Sequence, residues 1–125
     1  MNLYQEHILE HFKHPCNYGL LKTCTHQYTD SNPLCGDWIT MQAHVKDGRI
    51  CAIGFESAGC TICKASASML TEFVLGKEIS LVYALSNQDV LDLLHIELSI
   101  SRIKCALLCF VALKKALYGV RDAAD

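Results

Sequence analysis

The sequence lacks three features that would place the protein in another functional class. Its 11 lysines and arginines are balanced by 13 aspartates and glutamates, so no excess of positive charge favours binding to nucleic acid or to an anionic membrane. No apolar run reaches the roughly 18 residues that a membrane-spanning helix needs. Repeats, linkers and low-complexity segments are also absent. We therefore expect a globular protein that binds neither nucleic acid nor a membrane.

The N-terminal stretch contains acidic side chains and no apolar segment of the secretory kind, and we expect a mature cytoplasmic protein. A chain of 125 residues has room for one domain, spanning residues 1–125, which can bury roughly two-thirds of its unfolded surface. Apolar residues such as Leu20, Leu21 and Val120 are too scattered to indicate an interface. A monomer or a weak homo-oligomer is expected.

Hydrophobic periodicity predicts one helix, then three strands, then four helices. The helices are predicted at residues 3–14, 61–75, 80–85, 87–94 and from 99 or 101 to 118, and the strands at 23–30, 38–45 and 50–56. A break is expected at 31–33, and Asp47-Gly48 predicts a hairpin between the last two strands. Strands followed by helices indicate an α+β fold, a small three-stranded antiparallel sheet packed against a layer of helices.

Three histidines recur at helical spacing in the first helix. His7, His11 and His14 lie three or four residues apart and would share one side of that helix. A metal site there is one interpretation, but an exposed polar face is the simpler expectation.

Eight cysteines are many for a chain of this length. Without a secretory signal, disulfides are not expected. Cysteine also packs as a small apolar side chain, or it serves in a metal or redox site. We expect the last two roles to share the eight residues.

The first stretch with recognisable chemistry is 32–37, with the sequence NPLCGD. Cys35 alone would usually be an ordinary loop cysteine, and Asp37 alone would usually cap a turn. Together, with one glycine between them, a thiolate and a carboxylate can face the same cation.

Cys60 and Cys63 form a C-x-x-C motif at a predicted helix start. The peptide N–H groups at a helix start favour an anionic thiolate, so Cys60 is expected to have thiolate character. The motif fits a redox pair or half of a zinc site, and no second C-x-x-C is present to favour zinc. Cys63 is as well explained by packing inside a helix rich in alanine and serine.

Cys105 and Cys109 are one helical turn apart. Cys105 lies near a predicted helix start, where it could reach a site, whereas Cys109 lies deeper in a leucine-rich segment and is expected in the core. Arg102 and Lys104 flank Cys105 and would offset the repulsion between anionic ligands, although ordinary solvated charges are an equal interpretation. The candidate metal ligands are Cys35, Asp37, Cys60 and Cys105. Zinc accepts this set, and an iron–sulfur cluster would in part.

These stretches resemble a known family. NPLCGD, the segment GCTICKASASMLTEFVLGK at 59–77 and SRIKCALL at 101–108, in this order, resemble the IscU/SufU/NifU-N family of iron–sulfur cluster assembly scaffold proteins. The opening segment 3–19 is similar to that family's first helix and turn, so the resemblance covers nearly the whole chain.

Within the family the motifs are closer to the SufU branch. The strings Arg-Ile-Lys-Cys at 102–105 and Ala-Ser-Ala-Ser-Met at 65–69 are SufU-like, and Lys104 stands where IscU carries histidine. The compact segment 76–102 is IscU-like instead, because it lacks the SufU insertion. Cys63 stands where the family usually has serine or alanine.

The resemblance implies a partnership with a cysteine desulfurase, whose persulfide sulfur the protein accepts, and with downstream carrier or recipient proteins. In a SufU-like protein, Cys35, Asp37, Cys60 and Cys105 would bind zinc, and Cys35 would accept sulfur. In an IscU-like protein the same residues would hold a transient [2Fe–2S] cluster, and Cys105 is the alternative acceptor. Asp37 would keep the site exchangeable, because a carboxylate is a weaker ligand for soft iron than a thiolate. Arg102 would steady the site or dock the desulfurase.

The expected function is therefore a scaffold that accepts sulfur and assembles a transient cluster, rather than a true enzyme. The alternative is a zinc-dependent sulfurtransferase that relays sulfur without holding a cluster. A structural zinc module is disfavoured, because a site containing aspartate in a loop would be a poor permanent link.

Overall fold

A computed structural model describes residues 3–33, 36–94 and 98–118, with side chains from residue 6 onward. Within these ranges the elements follow the predicted order. They are α1 (Leu3–Lys13), β1 (His26–Asn32), β2 (Asp37–Lys46), β3 (Arg49–Ala58), α2 (Thr61–Val74), α3 (Ile79–Ala84), α4 (Asn87–Leu94) and α5 (Ile100–Tyr118). No helix in the described ranges is long and apolar enough to cross a bilayer.

The three strands form one antiparallel sheet in the order β1-β2-β3. The predicted hairpin is confirmed: Asp47 and Gly48 both have positive φ, 54° and 76°, as a two-residue turn of type I′ requires. The predicted bounds of the first strand are wrong. β1 runs on to Asn32, because pairing with β2 continues up to the Asn32–Asp37 pair. The chain leaves the sheet only at Pro33, which has no N–H to donate.

The core lies between the inner face of the sheet and two helices, α2 and α5. Along β2 the predicted alternation holds, since Ile39, Met41 and Ala43 are fully buried while Trp38 is partly exposed. α5 packs against β1, β2 and α2, and its Phe110 is buried in the same cluster. The expected α+β fold, a three-stranded antiparallel sheet against a layer of helices, is confirmed.

Local helix signals are also confirmed. Ser86 and Asp89 form a reciprocal cap at the start of α4: the Ser86 hydroxyl accepts the Asp89 N–H at 3.1 Å, and the Asp89 carboxylate accepts the Ser86 N–H at 2.9 Å. Ser99 caps α5, where its hydroxyl accepts the Arg102 N–H at 3.4 Å. Gly76 lies just past α2 with φ of 85°, which a glycine adopts without strain.

The expectation that the histidines form an exposed face is wrong for His11. His11 is buried because α1 packs against α2, and its Nδ1 lies 2.7 Å from the Ser68 hydroxyl. That hydroxyl also accepts the Cys16 N–H at 2.7 Å, so its own proton is available to His11 Nδ1. The neutral ring that accepts this proton carries its hydrogen on Nε2. His7 and His14 are exposed, as expected.

We expect stability to fall in mild acid because of His11. Burial, and then the neighbouring charge of His7, lower the pKa of His11 below its ordinary 6.5, against a smaller opposing effect of Glu72 and Glu10. The unfolded chain therefore takes up this proton at a higher pH than the folded chain does. The contribution of His11 is fully present above about pH 6.5. It is lost as pH falls through the lowered folded pKa.

Denaturant unfolding between pH 5 and pH 8 measures this effect. His11→Gln should flatten the decline of the unfolding free energy below about pH 6.5. His14→Gln, at an exposed residue just past the end of the same helix, should leave the profile unchanged. Equal slopes in the wild type and His11→Gln would show that another group is responsible.

Candidate metal centre

The N-terminus of α2 places Cys60 at the edge of the core. Cys60 is the N-cap residue, with extended φ of −78° and ψ of 163°, and the helix begins at Thr61. Gly59, directly before it, has φ of 140°, a conformation that L side chains rarely adopt. The chain therefore turns sharply from β3 into α2 and leaves the Cys60 thiol partly exposed.

Asp37, the first residue of β2, faces this turn with both carboxylate oxygens. Its Oδ1 accepts the Cys60 N–H at 3.2 Å, and its Oδ2 lies 3.6 Å from Cys60 Sγ, which donates to it. The side chain is almost completely buried, at 3% exposure. Asp37 therefore accepts a hydrogen bond from one of the backbone N–H groups at the start of α2 that have no partner within the helix, and it also faces a thiol.

Cys105 comes from a third element, in the second turn of α5, and is 5% exposed. One ligand atom each from Asp37, Cys60 and Cys105 lie within 4.8 Å of one another. Three segments far apart in the sequence thus place two thiols and a carboxylate around one point. This donor set suits zinc or iron.

Cys35, the fourth predicted ligand and the predicted sulfur acceptor, lies outside the described residues. Three of the four predicted ligands are brought together, and the role of Cys35 stays a prediction.

Arg102 and Lys104 are exposed on the first turns of α5. Lys104 lines a groove of about 290 Å³ between α5 and the end of β1, with an apolar floor of Leu107, Leu108 and Val111. The proposed supporting roles of Arg102 and Lys104 remain predictions.

The two remaining cysteines of these motifs are in the core, which was expected for Cys109 and was one of the open interpretations for Cys63. Cys63 is 1% exposed and Cys109 is fully buried. Burial, and then the neighbouring Cys63, raise the pKa of the Cys109 thiol far above its ordinary range. Cys109 is therefore a protonated thiol at neutral pH, whose Sγ donates to the Ala106 carbonyl at 3.4 Å.

The sequence interpretation missed the part played by Gly59. A Cβ added there would overlap the Asp37 carboxylate, so only glycine lets Asp37 approach the backbone of Cys60. A glycine directly before the cysteine at a predicted helix start was the available signal. It could not show that a carboxylate from another strand lies against it.

Comparison with known proteins gives one consistent result. The family profile described as NifU-like N terminal domain matches residues 3–123. The iron-sulfur cluster assembly scaffold protein IscU 1 of Archaeoglobus fulgidus is 33% identical over 115 residues, covering 92% of this chain and 74% of that protein. The zinc-dependent sulfurtransferase SufU of Bacillus subtilis is 34% identical over 132 residues, covering 92% of this chain and 89% of that protein.

The fold agrees with these sequence matches. The crystal structure of a nitrogen-fixing NifU-like protein (N-terminal) from Brucella abortus aligns with a TM-score of 0.77 at 18% identity, covering 97% of this chain and 96% of that chain. The profile spans nearly the whole chain, and both relatives are about one-third identical to it over most of its length. The chain therefore belongs to the NifU-like N-terminal domain family, together with IscU and SufU.

Proposed function

We propose that this chain is a cytoplasmic iron–sulfur cluster assembly scaffold, acting as one domain. It accepts persulfide sulfur from a cysteine desulfurase, assembles a transient cluster and transfers it to a recipient protein. The observation that carries the proposal is the convergence of Asp37, Cys60 and Cys105, whose ligand atoms lie within 4.8 Å of one another. With Cys35 this would make a site of three thiolates and one carboxylate.

The donor set suits a cargo that must leave again. Two thiols in one place favour soft metal ions and iron–sulfur clusters. A carboxylate oxygen is a weaker ligand for iron than a thiolate. Asp37 therefore provides the position at which the site exchanges its contents, while the two helices hold Cys60 and Cys105 in place.

The alternative function is a zinc-dependent sulfurtransferase that relays sulfur without holding a cluster. Two observations favour it: the 34% identity to SufU of Bacillus subtilis and the SufU-like string at 102–105. Zinc would take a tetrahedral site from the same residues and would keep their thiols deprotonated.

The burial of Cys105 supports Cys35 as the first sulfur acceptor. Cys105 is only 5% exposed, which restricts the approach of an incoming persulfide from another protein to its Sγ. Cys60 is more accessible, but its thiol faces Asp37. In the sequence Cys35 stands between β1 and β2, two residues before Asp37, and it is the acceptor that we propose. Cys105 is the alternative acceptor.

One experiment tests the proposal and separates the alternatives. The zinc, iron and acid-labile sulfide contents of the anaerobically purified protein are measured first. The protein is then incubated with a cysteine desulfurase and free cysteine, and its protein-bound persulfide is measured. Iron and sulfide in equal amounts support the scaffold, whereas one zinc without sulfide supports the relay. Cys35→Ala should abolish persulfide labelling, with Cys24→Ala, a partly buried cysteine outside the donor group, as the control. Undiminished labelling of Cys35→Ala would assign the first step to another thiol.

A further inference from the structure

A second pair of thiols lies behind the metal donors on the same two helices. Cys63 follows Cys60 by three residues on α2, and Cys109 follows Cys105 by four residues on α5. Both deeper cysteines are buried in the main core cluster. The metal site uses Cys60 and Cys105 and leaves Cys63 and Cys109 without a chemical role.

We propose that Cys60 and Cys63 act as a dithiol pair that reduces sulfane sulfur delivered to the site and releases it as sulfide. This inference rests on the proposed function, because that function supplies the persulfide. It adds to sulfur acceptance a second step, in which this chain reduces the accepted sulfur to sulfide. An iron–sulfur cluster contains sulfide, so a scaffold with this step would generate the form of sulfur that the cluster needs.

The position of the two residues at the helix start favours a bond between them. Cys60 is the N-cap residue and Cys63 is the third helical residue, the two positions at which each side chain can reach the backbone of the other in a capping box. Cys60 also packs against the core cluster that contains Cys63. Residues three apart at a helix start have Cα atoms separated by about 5.5 Å, within the range that a disulfide spans.

The two thiols differ in accessibility, and this difference gives each a role. Cys60 is partly exposed at the metal site, whereas Cys63 is 1% exposed. A partner protein cannot reach Cys63, so Cys63 can attack only a sulfur that is bonded to a neighbouring side chain. Cys60 is therefore the thiol that takes sulfur from the accepting cysteine. Cys63 is the thiol that then attacks the Cys60 persulfide and releases its outer sulfur.

The chemistry balances within the chain in two steps. In the first, the Cys60 thiolate attacks the outer sulfur of a persulfide on the accepting cysteine, which leaves as a thiolate, so nothing is oxidised or reduced. In the second, Cys63 attacks Cys60 Sγ; the bond from Cys60 Sγ to the outer sulfur breaks, and a Cys60–Cys63 disulfide forms. The outer sulfur leaves as HS⁻ with the proton of Cys63. The two cysteine sulfurs lose two electrons and the released sulfur gains them.

A dithiol reductant from solution then restores both thiols. Cys109 is the competing partner for Cys63, since the two are neighbours in the core. A bond between Cys63 and Cys109 would lie away from the metal site and would release no sulfide. The two possible disulfides can therefore be distinguished, because only the Cys60–Cys63 disulfide would form with release of sulfide.

The test uses a cysteine desulfurase that carries a persulfide and has been freed of the substrate cysteine. It is mixed anaerobically with protein that has been reduced and then separated from the reducing agent. Released sulfide is quantified, and intact and peptide mass spectrometry identifies the bridge. The wild type should release about one sulfide per persulfide and acquire a Cys60–Cys63 disulfide. Cys63→Ser should keep the extra sulfur and release about tenfold less sulfide. Cys109→Ser, which also removes one buried core thiol, should match the wild type.

Equal sulfide release by Cys63→Ser and the wild type would overturn the inference, as would a bridge between Cys63 and Cys109. A second arm omits the desulfurase and equilibrates the protein with oxidised and reduced dithiothreitol. Failure to form the Cys60–Cys63 bridge there also overturns it. If the bridge forms but the charged desulfurase transfers no sulfur, the proposed function fails and the dithiol pair stands. Cys63→Ala is a second variant at the same position, and thermal unfolding shows whether it folds. It controls for a folding defect caused by placing the serine hydroxyl in the core.

Discussion

Gly59→Ala is expected to destabilise the protein and to weaken metal binding together. Gly59 has φ of 140°, where a residue with a Cβ carries about 1–3 kcal/mol of strain. The added Cβ would also overlap the carboxylate of Asp37. Because Asp37 is buried and bonded to the Cys60 N–H, it cannot move aside without losing that bond. Metal affinity should fall by about 10–100-fold, as when a residue that orients a ligand is lost.

Gly48→Ala is the matched control for this substitution. Gly48 also has positive φ, 76°, but a Cβ there would meet no atom within 4 Å, and it lies in the hairpin turn rather than at the site. It should lose stability through backbone strain and keep the metal affinity of the wild type. Thermal unfolding and a competitive zinc titration of the two variants measure both effects. Unchanged zinc affinity in Gly59→Ala would contradict the positioning of Asp37 by this glycine.

Asp37→Ala is expected to make the site hold its contents longer. With the carboxylate removed, the ligand that dissociates most easily is gone, and the cluster is held by thiolates alone. This prediction concerns the rate at which the cluster leaves and not the equilibrium affinity for zinc, which loses one donor. We expect the transfer of a reconstituted cluster to an apo acceptor protein to slow by about tenfold, equivalent to about 1.4 kcal/mol in the barrier. Faster loss of the cluster from Asp37→Ala would contradict an exchange role for the carboxylate.

Asp37→Asn separates the two roles of this side chain. Its amide oxygen can still accept the Cys60 N–H, which Oδ1 accepts at 3.2 Å in the wild type, but it lacks the carboxylate charge. Asp37→Ala leaves this N–H without its acceptor and should lose about 1–3 kcal/mol of stability, whereas Asp37→Asn should lose less. If ligand exchange is the cause of release, both variants should slow transfer. If only Asp37→Ala does so, the hydrogen bond is the cause.

The two roles of Asp37 explain how the site could release a metal without local unfolding. One carboxylate oxygen anchors the start of α2 while the other faces a thiol. The carboxylate can therefore release a metal through Oδ2 and still stay in place through Oδ1. A ligand held in this way leaves the metal without unfolding the turn, which suits a site that is filled and emptied repeatedly.

Much of this fold was predictable because the signals that specify it are local. A period of two in β2, helical periods in the later segments and turn residues such as Asp47-Gly48 act over a few residues. The bounds of β1 were wrong because strand ends are set by pairing with another strand, which the segment itself does not encode. His11 was misjudged for the same reason: its helical spacing is visible in the sequence, but its burial depends on Ser68 of another helix.

The sequence by itself determined the element order and the helix caps, and it predicted the ligand types, since each follows from short-range periodicity or side-chain chemistry. It also separated Cys60 and Cys105, near helix starts, from Cys109 inside a helix. Only the tertiary structure decided which of these groups meet. It brought Asp37, Cys60 and Cys105 within 4.8 Å, gave Gly59 its part through a carboxylate from another strand, and buried Cys63 behind Cys60. These outcomes depend on packing between distant segments, because side chains with the same chemistry acquire different roles from the partners that the fold places beside them.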